Sequence, residues 1–181
     1  PYQRPSILYV LPSNIGNLLG TVNVLMDWKR RVGYEVNYVS SSSIVNNAGD
    51  LENYIETAYQ AWENPPEYVT IIGDAEGSYD VPKHFENWSG YNGEGDHPYS
   101  TIVGNDLLPE VFLGRLSFDS QSHLQTIISK TLNYESSPYM GENWFQRACL
   151  VGDASTSGIS CVITNDNIKE VLQLHGYDDI R

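Results

Sequence analysis

Short apolar runs separated by helix-length segments constrain this chain more than any other feature. Ile7-Leu8-Tyr9-Val10-Leu11 is continuously apolar and is closed by Pro12-Ser13, the pattern of a strand buried on both faces. Leu18, Val22, Leu25 and Val32 follow at helical spacing, and Lys29-Arg30-Arg31 before Gly33 supply a basic last turn and a glycine stop. Glu35 to Val39 alternates as a second strand. Leu51, Ile55, Ala58 and Trp62 mark a second helix, with Asp50 as its N-cap and Asn64-Pro65-Pro66 as its breaker. Tyr68-Val69-Thr70-Ile71-Ile72 is a third strand running into Gly73-Asp74, and Val111 to Leu116 is a fourth. A helix capped by Asp119 or Ser120 carries Leu124, Ile127, Ile128 and Thr131 to about Glu135, and Ser136-Ser137-Pro138 ends it. Ala148 to Val151 reads as a further buried strand, and a last helix holds Ile168, Val171 and Leu172 before His175-Gly176.

Strands that alternate with helices need crossover connections. They build βαβ units and a mostly parallel sheet with helices on both faces. The expected class is therefore α/β, a three-layer flavodoxin-like arrangement. In such sheets sites form where loops leave the carboxyl ends of strands. Asp74 and Asp153 stand at two such ends. Ala75 to Ser100 has no clear period and is rich in Gly, Asp, Asn, Pro and aromatics, so it reads as one long functional loop. Tyr139 to Arg147 reads as a linker between subdomains.

The net charge of −13, from 23 acids against 10 bases, excludes nucleic acid as a partner, because phosphate binding needs clustered Lys and Arg. No apolar run approaches the ~20 residues of a membrane helix, so no membrane span is expected. Cys149 and Cys161 are the only cysteines, too few for a disulfide framework. Cys149 lies in an apolar stretch and reads as a buried, inert thiol.

The segment richest in candidate chemistry is Val103 to Glu110. Asp106 and Glu110 lie four apart in an irregular turn, and Pro109 disfavours a helix through Leu108. Such a backbone can offer carbonyls between the carboxylates. Calcium takes about six to eight hard oxygens in flexible geometry, and Asp74 could add one more carboxylate. Asp, Asn and Gly are also ordinary turn residues, so the pattern alone leaves both a metal site and a bare turn open.

Gly95-Asp96-His97-Pro98-Tyr99, Ile102-Val103-Gly104-Asn105-Asp106, Glu110-Val111-Phe112-Leu113-Gly114-Arg115-Leu116 and Lys130-Thr131-Leu132-Asn133-Tyr134-Glu135 occur in this order. Together with Tyr68 to Asp74, Asp27-Trp28-Lys29 and the Gly33 turn, they closely resemble the gingipain-like cysteine peptidases. The resemblance covers nearly the whole chain. It implies a caspase-like fold in two subdomains. Residues 1–143 would form the first, non-catalytic subdomain, and 144–181 the start of a truncated second, catalytic one. It implies a bound calcium ion, held by the side chains of Asp74, Asp106 and Glu110 and by the backbone carbonyls of Val103 and Leu108.

The resemblance also implies a secreted or cell-surface bacterial endopeptidase with a Cys/His dyad. In the family a His followed by Gly manages the proton, and a downstream Cys thiolate attacks the peptide carbonyl. Both would lie beyond this chain, leaving it inactive alone. Polypeptide substrate and the remainder of the catalytic domain would be its partners. His175-Gly176 reads as a helix C-terminus, and His84, His97 and His123 as surface residues. Cys161 reads as a loop residue near the cleft. Asp153 is the nearest candidate for the acid that orients the family's catalytic His, and a turn cap is its other reading. Cys161 also falls near the place where arginine-specific members carry a substrate-pairing acid. A thiol cannot pair a guanidinium as a carboxylate does, so arginine specificity is not expected. Two other functions suit the same pattern. One is a non-catalytic binding or export-associated module on this fold. The other is a nucleotide domain, for which Leu11-Pro12-Ser13-Asn14-Ile15-Gly16 is a poor phosphate loop.

Overall fold

The structure is a computed structural model that describes residues 3–44, 47–88, 90–104, 106–136, 142–153, 155 and 158–181. The chain divides into two compact units, Pro1–Glu135 and Ser136–Arg181. The boundary expected at 143/144 falls inside the second.

The first unit starts with β1 (Ser6–Leu11), α1 (Leu19–Arg31), β2 (Glu35–Ser40), α2 (Ala48–Ala61) and β3 (Tyr68–Ile72). A hairpin of β4 (His84–Trp88) and β5 (Tyr91–Gly95) follows, then β6 (Phe112–Leu116) and α3 (Gln121–Ser136). The sheet order is β2-β1-β3-β6, and every pairing is parallel. β1 is central, and all of its residues are buried. Its side chains alternate between two cores, as strand geometry requires. Ile7, Tyr9 and Leu11 pack with Val22, Leu25 and Met26 of α1 and with Leu124 and Ile128 of α3. Leu8 and Val10 pack with Leu51, Ile55 and Ala58 of α2 and with Val69 and Ile71 of β3. Helices therefore cover both faces, and the expected three-layer class holds. Each such side chain contributes about 1.5–3 kcal/mol when fully buried.

Three local expectations differ. Asn47, not Asp50, caps α2: its side chain accepts the Asp50 N–H at 3.0 Å. The helix starts before Asp50 because Asn47 can turn its amide oxygen onto that N–H, leaving Asp50 in the first turn. Val32 lies just past α1 and is exposed. Ala75 to Ser100 is not one loop, because it contains the β4–β5 hairpin, paired from His84↔Gly95 to Trp88↔Tyr91. Its Asn and Gly residues hide the strand alternation.

The second unit is a small βαβ element. β7 (Arg147–Ala148) pairs in parallel with β8 (Asp179–Ile180), and α4 (Ile159–Leu174) connects them. The strand expected over Ala148–Val151 is only this short pair. Val151 is 87% exposed, and Cys149 is exposed rather than buried. α4 buries none of its described residues. A two-stranded pair and one helix offer too little apolar surface to close a core. Of the expected linker, residues 139–141 lie outside the described residues, as do Ser137 and Pro138. Asn143–Gln146 forms a 3₁₀ turn.

Leu8→Ala and Ile55→Ala are each expected to lower the unfolding free energy by about 2–5 kcal/mol. Val32→Ala should fall within about 0.5 kcal/mol of wild type. Urea denaturation of the three variants checks this.

Candidate functional site

All four strands of the parallel sheet release their loops at the same end. Asp74, after β3, lies there, whereas Asp106 and Glu110 precede β6 and so belong to the amino-terminal end of the strands. The loop after β3 begins at Gly73, whose φ is +155°. A Cβ at this position would lie 2.7 Å from the Tyr79 carbonyl oxygen and 2.8 Å from Val81 Cγ2, so only glycine fits. The loop then closes on itself. The Asp74 N–H donates to the Tyr79 carbonyl, and the Val81 N–H to the Asp74 carbonyl, each at 2.9 Å.

Arg115, near the end of β6, holds this loop. Its Nη1 donates to the carbonyls of Gly73 (3.2 Å), Asp74 (3.1 Å) and Val81 (3.1 Å), and its Nη2 to that of Pro82 (3.2 Å). Its Nε and Nη2 also clamp the two carboxylate oxygens of Asp96 at 2.7 and 2.8 Å. The Arg115 side chain is only 11% exposed, so this bidentate pair is shielded from water and salt. Asp96 begins the 3₁₀ turn His97–Tyr99. Tyr99 is fully buried, and its hydroxyl donates to the Pro82 carbonyl at 2.6 Å. Burial, then the Asp96 carboxylate, push its phenol above the ordinary range.

From there the chain enters the Val103–Glu110 segment. The Glu110 N–H donates to the Ser100 carbonyl at 2.8 Å, which pinches the loop at its base. Glu110 Oε2 accepts the N–H groups of Ile102 (2.8 Å) and Val103 (3.1 Å). Asp106 Oδ1 accepts the Leu108 N–H at 2.8 Å, and Asp74 Oδ1 accepts the Ala75 N–H at 2.8 Å. Val103 and Leu108 are exposed. Each candidate carboxylate thus places one oxygen in a turn of its own backbone and keeps a second outside these bonds. Among the described residues, no three or more His, Cys, Asp and Glu side chains come together as a metal-ligating group. The donors suit calcium in kind, as hard oxygens, but they are not gathered around one point.

In the second unit, Asp153 Oδ1 accepts the Ser155 N–H (2.8 Å) and Oδ2 the Ser155 hydroxyl (2.7 Å). These bonds, the hydroxyl's first, hold its carboxyl below the ordinary range. They describe a local turn cap. Cys161 is not in a loop but in the first turn of α4, where its N–H meets the Gly158 carbonyl at 2.9 Å. His175 caps the other end of α4, and Gly176 follows at φ +87°. The two ends are about 21 Å apart by helical rise. His84 is not a surface residue. Its ring is tilted against Tyr99 at 4.7 Å, and its buried Nε2 lies 3.2 Å from Glu52 Oε2 without hydrogen-bond alignment. The Arg115–Asp96 pair escaped sequence reasoning. The available signal was a lone arginine inside the apolar run Val111 to Leu116.

Comparison with known proteins gives one consistent result. The model of peptidase family C25 matches residues 1–179. Gingipain R2 of Porphyromonas gingivalis is 27% identical over 168 residues, covering 89% of this chain and 22% of that protein. The crystal structure of the Arg-specific cysteine proteinase gingipain R superposes with a TM-score of 0.76 at 26% identity, over 98% of this chain and 40% of that one. The complex of RgpB pro- and mature domains gives a TM-score of 0.76 at 27% identity, over 97% and 41%. The chain therefore spans about a fifth of the curated relative and two fifths of the solved chains.

Arg115→Ala strands the Asp96 carboxylate and several carbonyls, and is expected to cost about 3–5 kcal/mol in chemical denaturation. Arg115→Lys should recover only part, because an ammonium cannot reproduce the fork. Ser155→Ala should move the Asp153 titration, followed by NMR, up toward the ordinary carboxylate range. The sign follows from linkage: a depressed carboxylate adds stability above its unfolded pKa, and loses it as pH falls through the folded value.

Proposed function

The chain belongs to peptidase family C25, and on that premise we propose that it is the scaffold part of a secreted bacterial cysteine endopeptidase, stabilised by calcium. The observation that carries this is the extent of the match, which runs over residues 1–179 with the fold preserved. The parent would hydrolyse peptide bonds in polypeptide substrates. Its nucleophile and base would lie in the remainder of the catalytic domain, and this chain alone would be inactive. Within the second unit, Cys161 and His175 lie at opposite ends of one helix, which speaks against their acting as a dyad.

The role left to these residues is shape. Arg115 and Asp96 tie the loop after β3 to the end of β6. Calcium would be held by the free carboxylate oxygens of Asp74, Asp106 and Glu110 and the carbonyls of Val103 and Leu108. What it supplies there is positive charge that offsets the oxygens of the Val103–Glu110 loop. The support for this is the donor chemistry, hard carboxylate and carbonyl oxygens, and Asp74, at the other end of the β3–β6 register, is its most distant member. Asp153 remains a candidate orienter of a histidine supplied from outside this chain.

Thermal unfolding with calcium and with a chelator tests the metal reading. Calcium at 100 times its dissociation constant should stabilise the fold by ~2.7 kcal/mol, and Asp106→Ala or Glu110→Ala should abolish the gain. An unchanged midpoint at millimolar calcium would remove these metal residues. For the enzyme reading, a longer polypeptide that contains this chain and its catalytic half should cleave peptide substrates and lose activity on thiol alkylation. The 181-residue chain should show none.

A further inference from the structure

At the amino-terminal ends of β1 and β2, the sheet end opposite Asp74, lies an open groove of about 820 Å³. It is bounded by the segment before β1, the start of β2 and the turn after α2. Glu35 and Asn37 are two apart on β2, an outer strand of the sheet, so they share a face. Asn37 Nδ2 donates to Glu35 Oε1 at 3.4 Å. From the turn after α2, Asn64 Nδ2 donates to Glu35 Oε2 at 2.9 Å and to the Arg4 carbonyl at 3.2 Å. The Glu35 carboxylate is therefore held by an amide on each oxygen while still lining an open groove. The Arg4 guanidinium is pinned in turn by the carbonyls of Gly33 (2.7 Å) and Tyr34 (3.4 Å).

Trp62 adds a flat apolar wall. It packs against the α2-side core and meets Tyr54 edge to face, with ring centroids 6.4 Å apart at 87°. Ring and carboxylate reach the groove already ordered, which lowers the entropy a ligand must offset on binding.

The charges select among ligands. An anion would face the carboxylates of Glu35 and Glu63, while the amides already on both Glu35 oxygens and the Arg4 guanidinium beside them weaken the groove's pull on a cation. A neutral polyhydroxylated ring meets neither objection. Its hydroxyls can donate to the carboxylates and accept from the second N–H of the Asn37 amide and from the Gln3 amide, and its C–H face can cover the indole. We infer that this groove is a binding site for a neutral saccharide.

Isothermal titration of the chain tests this with maltotriose, cellotriose and chitotriose as neutral probes. A heparin-derived disaccharide and trilysine serve as anionic and cationic controls. At least one neutral probe should bind saturably, with a Kd of about 1 mM or tighter, and neither control should. Trp62→Ala should weaken that binding about tenfold or more. Because Trp62 also touches the core, Glu63→Ala and Asn37→Ala are tested beside it, and each should weaken binding with an unchanged melting midpoint. The inference fails if no neutral probe binds by about 10 mM. It fails equally if a charged control saturates the groove, or if the Glu63 and Asn37 variants bind as wild type does.

Discussion

The guanidinium of Arg115 sits where an apolar strand hands over to loops, and much of the first unit depends on it. Its bonds reach two stretches of chain that are otherwise far apart in sequence, Gly73 to Pro82 and Asp96. Putting a charge into such a place is costly unless every donor finds a partner. Here the fork geometry of arginine matches the need, with carboxylate oxygens on one side and turn carbonyls on the other. The tight loop after β3 and the Asp96 turn become parts of one body. Gly73 completes the arrangement by leaving room where any Cβ would strike Tyr79 and Val81.

The hairpin hangs from the same body. Lys83 precedes β4 and bridges Glu76 at 2.9 Å and Glu94 at 2.7 Å, so it ties the β3 loop to β5. Each of these exposed ion pairs is weak alone, but they add to the buried Tyr99–Pro82 bond on the same segment. The carboxyl end of the sheet is thus stiff near Asp74 and Asp96. Before β6, at the strands' other end, the loop tip at Leu107 and Leu108 stands in solvent. An exposed acidic tip suits a loop whose final shape a cation would decide.

Much of this was legible in the sequence. β1 and β3 announced themselves because a strand covered on both faces must be apolar throughout, and α1 and α2 because one face of each is. The hairpin was not legible, since Asn and Gly at its paired positions break the alternation, and the clue was the short Ser89-Gly90 link between Trp88 and Tyr91. The second unit misled for a different reason. Its apolar residues have the spacing of core positions, yet Val151, Ile163 and Leu174 are exposed among these residues, so pattern and burial part company where few elements meet. Asp106 and Glu110 could be picked out as turn carboxylates. Which backbone N–H each would accept depends on the folded path of the loop, and spacing does not carry that.

The central place of β1 also sets an order of events during synthesis. Within this sheet it is made first and is the most thoroughly buried, but both of its neighbours come later. Ile7 must wait for Val36 on one side and Tyr68 on the other. At about 5–20 residues per second on the ribosome, the second partner arrives seconds after the first strand has emerged. Until then a continuous apolar β-strand lacks at least one of its two partners, the condition in which nascent proteins most need shielding. A sheet that is secure once closed therefore passes through its most vulnerable moment before its last strand, β6, has been made.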